Sequence, residues 1–204
     1  MAISKERLKN MTRTSLNDHL INIVIVSIAY IVSMLFVREI IVPFQKSYLP
    51  AITTFAALIF PLHGVRVLSA WAFGKWSIAY LFIANTVMHL VLTPDADFTQ
   101  KSFYAWCLVS TVCWFSFELF RVCGFNVYSH ESVINNSTWR NLILIAFVSS
   151  VFNSLGHNII FAGDILPENS LNTMLAFLIG DTLGTAVCLF ALMILFRSLR
   201  KVGV

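Results

Sequence analysis

The chain has 204 residues, of which 58% are hydrophobic and only 12% are charged. Soluble domains carry about a quarter charged residues, so this composition excludes an ordinary soluble domain and indicates a protein of the lipid bilayer. The formal net charge of +4 comes from basic residues near the ends of apolar stretches. No basic stripe with interleaved aromatic residues is present, and we expect no nucleic-acid partner.

Six apolar stretches follow one another along the chain, and each is predicted to cross the membrane. A spanning helix needs about 20 apolar residues, and its backbone groups must be bonded within the segment. The fold class is therefore all-α, a polytopic membrane helix bundle. Ser15 and Asp18 have the spacing of an N-terminal cap on the first helix. The predicted spans are 20–37, 51–73, 76–92, 103–120, 141–161 and 171–196.

The distribution of basic residues predicts the orientation of this bundle. Cytoplasmic segments of membrane proteins are rich in Lys and Arg. With the N-terminus inside, only Arg38, Lys46 and Lys101 of the 14 basic residues fall outside. Both termini are therefore predicted to be cytoplasmic in a multi-pass protein of the bacterial inner membrane. The predicted parts are a basic N-terminal segment 1–19, a membrane domain 20–197 and a short basic tail 198–204.

The second span is predicted to be broken between Pro61 and Gly64. Proline removes a backbone donor and clashes with the preceding turn, while glycine relaxes the backbone. Broken helices form the mid-membrane sites of many transporters. The alternative is a kink that serves packing only, because proline and glycine are common in membrane helices.

Charged residues inside the spans are candidates for a binding site, because charge at lipid depth is costly unless it is paired. At about 1.5 Å per residue, Arg66 and Glu118 reach similar depths on two spans, which predicts a contact between them. The alternative is that Arg66 extends to the cytoplasmic surface while Glu118 pairs with Arg121, three residues later on the same helix.

Asp181 lies between Gly180 and Gly184, whose spacing permits close approach of two helices. We interpret His63, Asn153, His157 and Asp181 as one polar cluster that lines a cavity open toward the outside. The alternative is a set of interhelical hydrogen bonds that only fixes packing. His89 is expected at the membrane interface. The candidate ligand-binding residues are His63, Arg66, Glu118, Asn153, His157 and Asp181.

The chain contains no motif typical of a cofactor or metal site. The four cysteines form no CxxC pair and no Cys/His cluster at zinc spacing, so we expect neither metal nor cofactor. A His–Asp pair near mid-membrane is suited to acid–base work. Because serine–histidine and HExxH signatures are absent from the sequence, an intramembrane enzyme is the third hypothesis.

Two stretches resemble the integral membrane sensor domain called MASE1, which occurs in bacterial signalling proteins. Residues 60–66, Phe-Pro-Leu-His-Gly-Val-Arg, are similar to the proline–glycine break of that family. Residues 178–184, Leu-Ile-Gly-Asp-Thr-Leu-Gly, resemble its closing Gly-Asp-x-x-Gly helix. Members of the family have more spans and feed a cytoplasmic output domain such as a cyclase or kinase. The resemblance therefore implies a sensor whose signal passes to a partner.

The leading hypothesis is a non-catalytic inner-membrane protein that binds a small polar ligand or a partner helix. It would act in sensing or as a subunit of a membrane complex, with a membrane or cytoplasmic protein as its partner. The second hypothesis is transport, since six helices and about 23 kDa resemble the substrate-binding subunit of an energy-coupling-factor transporter. Such subunits dock through a small-xxx-small motif on the first helix, and Ala29 and Ser33 have that spacing.

Overall fold

The computed structural model describes residues 15–48, 57–93, 97–125, 127–128, 136–163 and 167–202. Within these ranges the secondary structure is helical and no strand occurs, which confirms the all-α class. The helices are α1 (Leu16–Phe36), α2 (Val42–Tyr48), α3 (Pro61–Phe73), α4 (Trp76–Leu92), α5 (Gln100–Val122), α6 (Asn136–Ile160) and α7 (Pro167–Val202).

Helical structure in the first predicted span begins at the predicted cap and continues beyond the predicted end of that span. The Ser15 hydroxyl accepts a hydrogen bond from the backbone N–H of residue 17 at 3.1 Å, and the Asp18 carboxylate accepts one from the Ser15 N–H at 2.9 Å. The α-helix α1 itself ends at Phe36, but a π-helical turn, Val37–Ile41, joins it to α2, so helical structure continues past the predicted end of the span at residue 37. Arg38 and Glu39 pair on the exposed side of that turn at 3.4 Å. Paired in this way, the two charges do not interrupt the helix.

Four helices of the described part of the chain are long and apolar enough to cross a membrane. They are Leu16–Tyr48, Gln100–Val122, Thr138–Ile160 and Ser170–Leu195. These correspond to the first, fourth, fifth and sixth predicted spans. The third predicted span is the shorter apolar helix α4, whose 17 residues extend over about 26 Å. The last helix continues past the predicted end of its span at residue 196.

The helix of the second predicted span begins at Pro61. Residues 57–60 are non-helical, and residues 51–56 lie outside the described ranges. The break predicted between Pro61 and Gly64 is therefore wrong in position, because the described non-helical residues precede Pro61, which takes the first helical position that proline favours. Gly64 lies inside the helix, so the break does not extend to it. With 13 residues, α3 is about 20 Å long and shorter than the roughly 30 Å hydrocarbon core.

The short helix α3 occupies the centre of the bundle. It contacts α1, α4, α5, α6 and α7. Its residues contribute to both hydrophobic clusters of the described chain: Val67 packs with Phe117, while Leu62 packs with Tyr30 and Tyr80. Neighbouring helices therefore shield α3 from lipid, which explains how a short helix with polar side chains is accommodated.

Candidate functional site

The non-helical stretch 57–60 lies directly against two glycines of α7. A Cβ atom at Gly180 would collide with the carbonyl oxygen of Ala57, and one at Gly184 would lie 2.6 Å from the backbone nitrogen of Phe60. The Phe60 N–H donates to the carbonyl of Gly180 at 2.9 Å. The small-xxx-small pair was predicted to admit a neighbouring helix, but it admits non-helical backbone instead.

A buried side chain satisfies another backbone group of this stretch. The N–H of Leu58 donates to the side-chain oxygen of Gln45 at 2.9 Å, and Gln45 itself is buried on α2. Non-helical backbone at membrane depth is tolerated only where protein or water satisfies its polar groups. Two helices, α2 and α7, therefore hold the segment in place.

Gly64 brings the first turn of α3 onto α7. A Cβ atom at this position would lie 2.6 Å from the Cβ of Cys188 and 3.1 Å from the Cα of Thr185. Glycine thus permits a close approach that no other residue would allow. This close packing of α3 on α7 places the neighbouring residue, His63, in contact with Asp181.

Three of the predicted site residues meet at this contact. The Nδ1 atom of His63 lies 3.3 Å from the Oδ2 atom of Asp181, and the Asn153 amide donates to the same oxygen at 2.7 Å. The exposed fractions of His63, Asn153 and Asp181 are 0%, 1% and 1%. The prediction that they cluster is confirmed, whereas the prediction that they line an open cavity is wrong, because helices enclose them on every side.

Ser149, which sequence analysis missed, occupies the other side of the imidazole. The Nε2 atom of His63 lies 2.9 Å from the Ser149 hydroxyl and 3.3 Å from the carbonyl oxygen of Ala146. The order serine, histidine, carboxylate is that of serine hydrolases. However, Ser149 is 0% exposed, so this hydroxyl is closed to a substrate carbonyl group. Its position four residues before Asn153 on one helix was the available sequence signal.

The cluster contains buried polar atoms that lack a hydrogen-bond partner. Among the described residues six such side-chain atoms occur, and half of them belong to this cluster: His63 Nδ1, Asn153 Oδ1 and Asp181 Oδ1. Buried polar atoms are nearly always hydrogen-bonded, and exceptions indicate a bound group or a function. An ionised carboxylate oxygen and an amide oxygen only accept, so the cluster is short of donated hydrogens.

His157 lies beside the cluster rather than in it. Its Nδ1 atom is 2.9 Å from the backbone carbonyl of Asn153, and its ring stacks on Phe161 and Phe177 with centroid distances of 6.0 and 5.2 Å. The ring is partly exposed, one turn from Asn153. It therefore borders the cluster through the backbone of α6.

Arg66 and Glu118 do not contact each other, and this prediction is wrong. Arg66 is 5% exposed and donates from Nε to the Tyr30 hydroxyl at 2.8 Å, so it does not extend to the cytoplasmic surface either. Glu118 lies 3.5 Å from Arg121 and accepts a hydrogen bond from Tyr128 at 2.7 Å. The position of a residue along a span predicts its depth in the membrane but not the direction of its side chain. Arg66 lies on the side of α3 that faces α1.

Aromatic rings and not a carboxylate surround the Arg66 guanidinium. Its central carbon is 5.6 Å from the ring centroids of both Tyr30 and Phe60, a distance at which cation–π attraction is significant. No ion pair of Arg66 occurs among the residues that the structure describes. Phe60 thus connects this cation to the non-helical segment.

Metal ligands are not gathered at this site. In the described part of the chain, no group of three or more His, Cys, Asp or Glu side chains is placed to hold a metal ion. His89 lies apart on α4, where its ring nitrogen is 3.0 Å from the Thr93 hydroxyl and its ring packs against Trp106.

Comparisons with protein-family models, curated proteins and solved structures found no match for this chain.

Proposed function

We propose that this protein is a non-catalytic, six-span protein of the bacterial inner membrane that acts in sensing or as a subunit of a membrane complex. Its ligand site is the cluster of His63, Ser149, Asn153 and Asp181, and its ligand is a small polar species that supplies hydrogens. The observation that carries this proposal is the presence of three buried polar atoms without a hydrogen-bond partner, one on each of His63, Asn153 and Asp181, around the buried 3.3 Å contact between His63 and Asp181.

The topology rests on the apolar helices and on the positive-inside rule. The half-span α3 and the shorter α4 are joined by a turn at Gly74 and Lys75, and they complete six spans with both termini cytoplasmic. Alkaline phosphatase and green fluorescent protein fused at the C-terminus test this arrangement. Fluorescence without phosphatase activity is expected, and the reverse would overturn the topology.

Coupling between ligand and partner is attributed to segment 57–60. Asp181 follows Gly180, whose carbonyl holds Phe60, and His63 stands in the first turn of the helix that this segment leads into. A change of charge at Asp181 would therefore act on the segment and on the positive end of α3. The stretches 60–66 and 178–184, which carry the MASE1 resemblance, contact each other at this point, and this contact supports a sensory role.

One observation favours transport as the second candidate. Half-helices that begin near the middle of the membrane, preceded by non-helical backbone, are typical of transporter binding sites, and α3 begins in this way. Proteoliposomes that carry a trapped pH-sensitive dye separate the two candidates. A transporter driven by an ion gradient dissipates a pH gradient faster than empty liposomes do, whereas a sensor leaves it unchanged.

The test of a ligand site against a packing role is the Asp181→Asn variant. The asparagine is nearly isosteric and replaces one carboxylate oxygen with an amide donor in a cluster that is short of donated hydrogens. If the cluster served packing alone, Asp181 would be the bonded, optimised residue and its replacement would be destabilising. Functional sites instead retain residues that limit stability, so we expect the variant to keep or raise the thermal midpoint in nanodiscs.

The control is Asp97→Asn, the same substitution at an exposed position. We expect this control to leave the midpoint unchanged. Loss of Asp181→Asn protein from the membrane, or a midpoint several degrees below both wild type and control, would assign the cluster to packing and overturn the proposed function.

A further inference from the structure

We propose that the species bound at this site is a proton, held between Nδ1 of His63 and Oδ2 of Asp181. This inference rests on the proposed function and names the ligand of the same site. It follows from the burial of the pair, from the two possible directions of the hydrogen bond between the imidazole and Ser149, and from the buried acceptors in the cluster that receive no hydrogen bond.

Enclosure limits the size of the ligand. His63 and Asp181 are 0% and 1% exposed, and Ser149 and Asn153 are closed to a similar degree. Any larger polar molecule would require helices to separate. A proton reaches such a pair through transient water or side-chain hops and leaves the packing intact.

The Ser149 hydroxyl allows the imidazole to exist in two hydrogen-bonded arrangements. In the first, Ser149 donates to Nε2 of His63, and Nδ1 carries its hydrogen on the side of Asp181, whose Oδ2 atom is 3.3 Å away. In the second, Ser149 donates to the Ala146 carbonyl at 3.0 Å, and Nε2–H donates to the Ser149 oxygen at 2.9 Å. Nδ1 would then face Oδ2 at 3.3 Å with lone pairs opposed, unless a further proton lies between them.

The two arrangements therefore differ by one proton. The first holds a neutral imidazole and an ionised carboxylate. The second holds the same groups plus one proton on the Nδ1–Oδ2 contact. Uptake or release of this one proton, together with rotation of the Ser149 hydroxyl group, interconverts them, and no heavy atom has to move. The pair can thus take up and release a proton in place.

Titratable groups lie near the pair on α3 itself and on α1, α5 and α6. Arg66 lies one turn beyond His63 on α3 itself, and it is bonded to Tyr30 of α1. Cys113 of α5 lies beside Ser149, and His157 of α6 is bonded to the backbone at Asn153. In the proton-free state the Arg66 cation balances the Asp181 anion, so one added proton gives this core a net positive charge.

Infrared difference spectroscopy of the wild-type protein in nanodiscs tests this proposal over a pH titration. A protonated carboxyl group has a carbonyl stretch that a carboxylate lacks, and histidine ring modes report the imidazole. We expect one carboxyl band that changes with the same midpoint as a ring band. Asp181→Asn should remove this band, and the His89→Gln control should retain it. If Asp181→Asn removes no band, the proposal is overturned.

Ser149→Ala provides a second variant that does not depend on how Asp181→Asn folds. Without the hydroxyl, the proton-free arrangement loses its donor to Nε2, while the proton-bound arrangement keeps Nε2–H directed at Ala146 O. The midpoint of the coupled bands should therefore move to higher pH. An unchanged midpoint, or a move to lower pH, would contradict the two-arrangement scheme.

The outcomes for the proton and for the site are distinguishable. If the Asp181→Asn variant is stable and the wild-type protein shows no titrating carboxyl band, the proposal of a bound proton is overturned and the proposed ligand site is retained. An unstable Asp181→Asn variant would overturn the proposed function, whatever the spectra show.

Discussion

Replacement of Gly184 by alanine perturbs the contact between α7 and segment 57–60. The new methyl group would lie 2.6 Å from the Phe60 nitrogen and closer still to its carbonyl group. Backbone atoms cannot yield as a side-chain tip can, so overpacking of about 1–3 kcal/mol is expected. Displacement of Phe60 would also weaken its bond to Gly180, worth about 0.5–1.5 kcal/mol, whereas alanine favours the helix by about 1 kcal/mol.

The net expectation is a loss of about 1–3 kcal/mol in the free energy of unfolding, measured by denaturant titration in mixed micelles. At about 2–4 °C per kcal/mol for a chain of this size, the thermal midpoint should fall measurably. Gly156→Ala is the matched control, because the three atoms nearest its methyl group would all belong to the side chain of Leu108 and not to backbone. Equal stability of the two variants would refute the packing of segment 57–60 on α7.

Two further variants test the hydrogen bonds around the site. Tyr30→Phe leaves the buried Arg66 Nε–H without its acceptor, and we expect a loss of about 1.5–3 kcal/mol of stability in the same titration. The exposed control Tyr104→Phe should change stability little, and equal losses would contradict the Arg66 contact. Gln45→Leu removes the acceptor of the Leu58 N–H, so amide exchange at residue 58 should accelerate relative to the exposed control Gln100→Leu. Unchanged exchange would mean that the side chain of residue 45 does not hold the segment.

Much of the fold was predictable because it depends on local patterns. Long apolar runs predicted the four spanning helices, and Ser15 with Asp18 predicted the cap at which α1 begins. Pro61 indicated that the second span is not one regular helix, but the structure begins a helix at this proline instead of breaking one after it. The continuation of helical structure from α1 through Val37–Ile41 into α2 was missed because the pair of Arg38 and Glu39 stands on an exposed face, where charges are compatible with a continuing helix.

The site was predictable in depth but not in direction. The residue count along each span predicted a similar membrane depth for His63, Asn153 and Asp181, and these three side chains do contact one another. The same residue count predicted the wrong partner for Arg66. Its contact with Tyr30 depends on which side of α3 faces α1, and residue count does not predict this orientation. Ser149 was likewise missed because a lone serine in an apolar helix has no distinctive pattern until a neighbouring helix brings an imidazole to it.

A double-mutant cycle between His63→Asn and Asp181→Asn measures most directly whether the two residues form one enclosed site. Residues in direct contact show coupling energies of about 0.5–3 kcal/mol, and the 3.3 Å contact places this pair among them. We predict a coupling within that range in the free energy of unfolding in nanodiscs. Additive effects, within about 0.3–0.5 kcal/mol, would contradict the shared site.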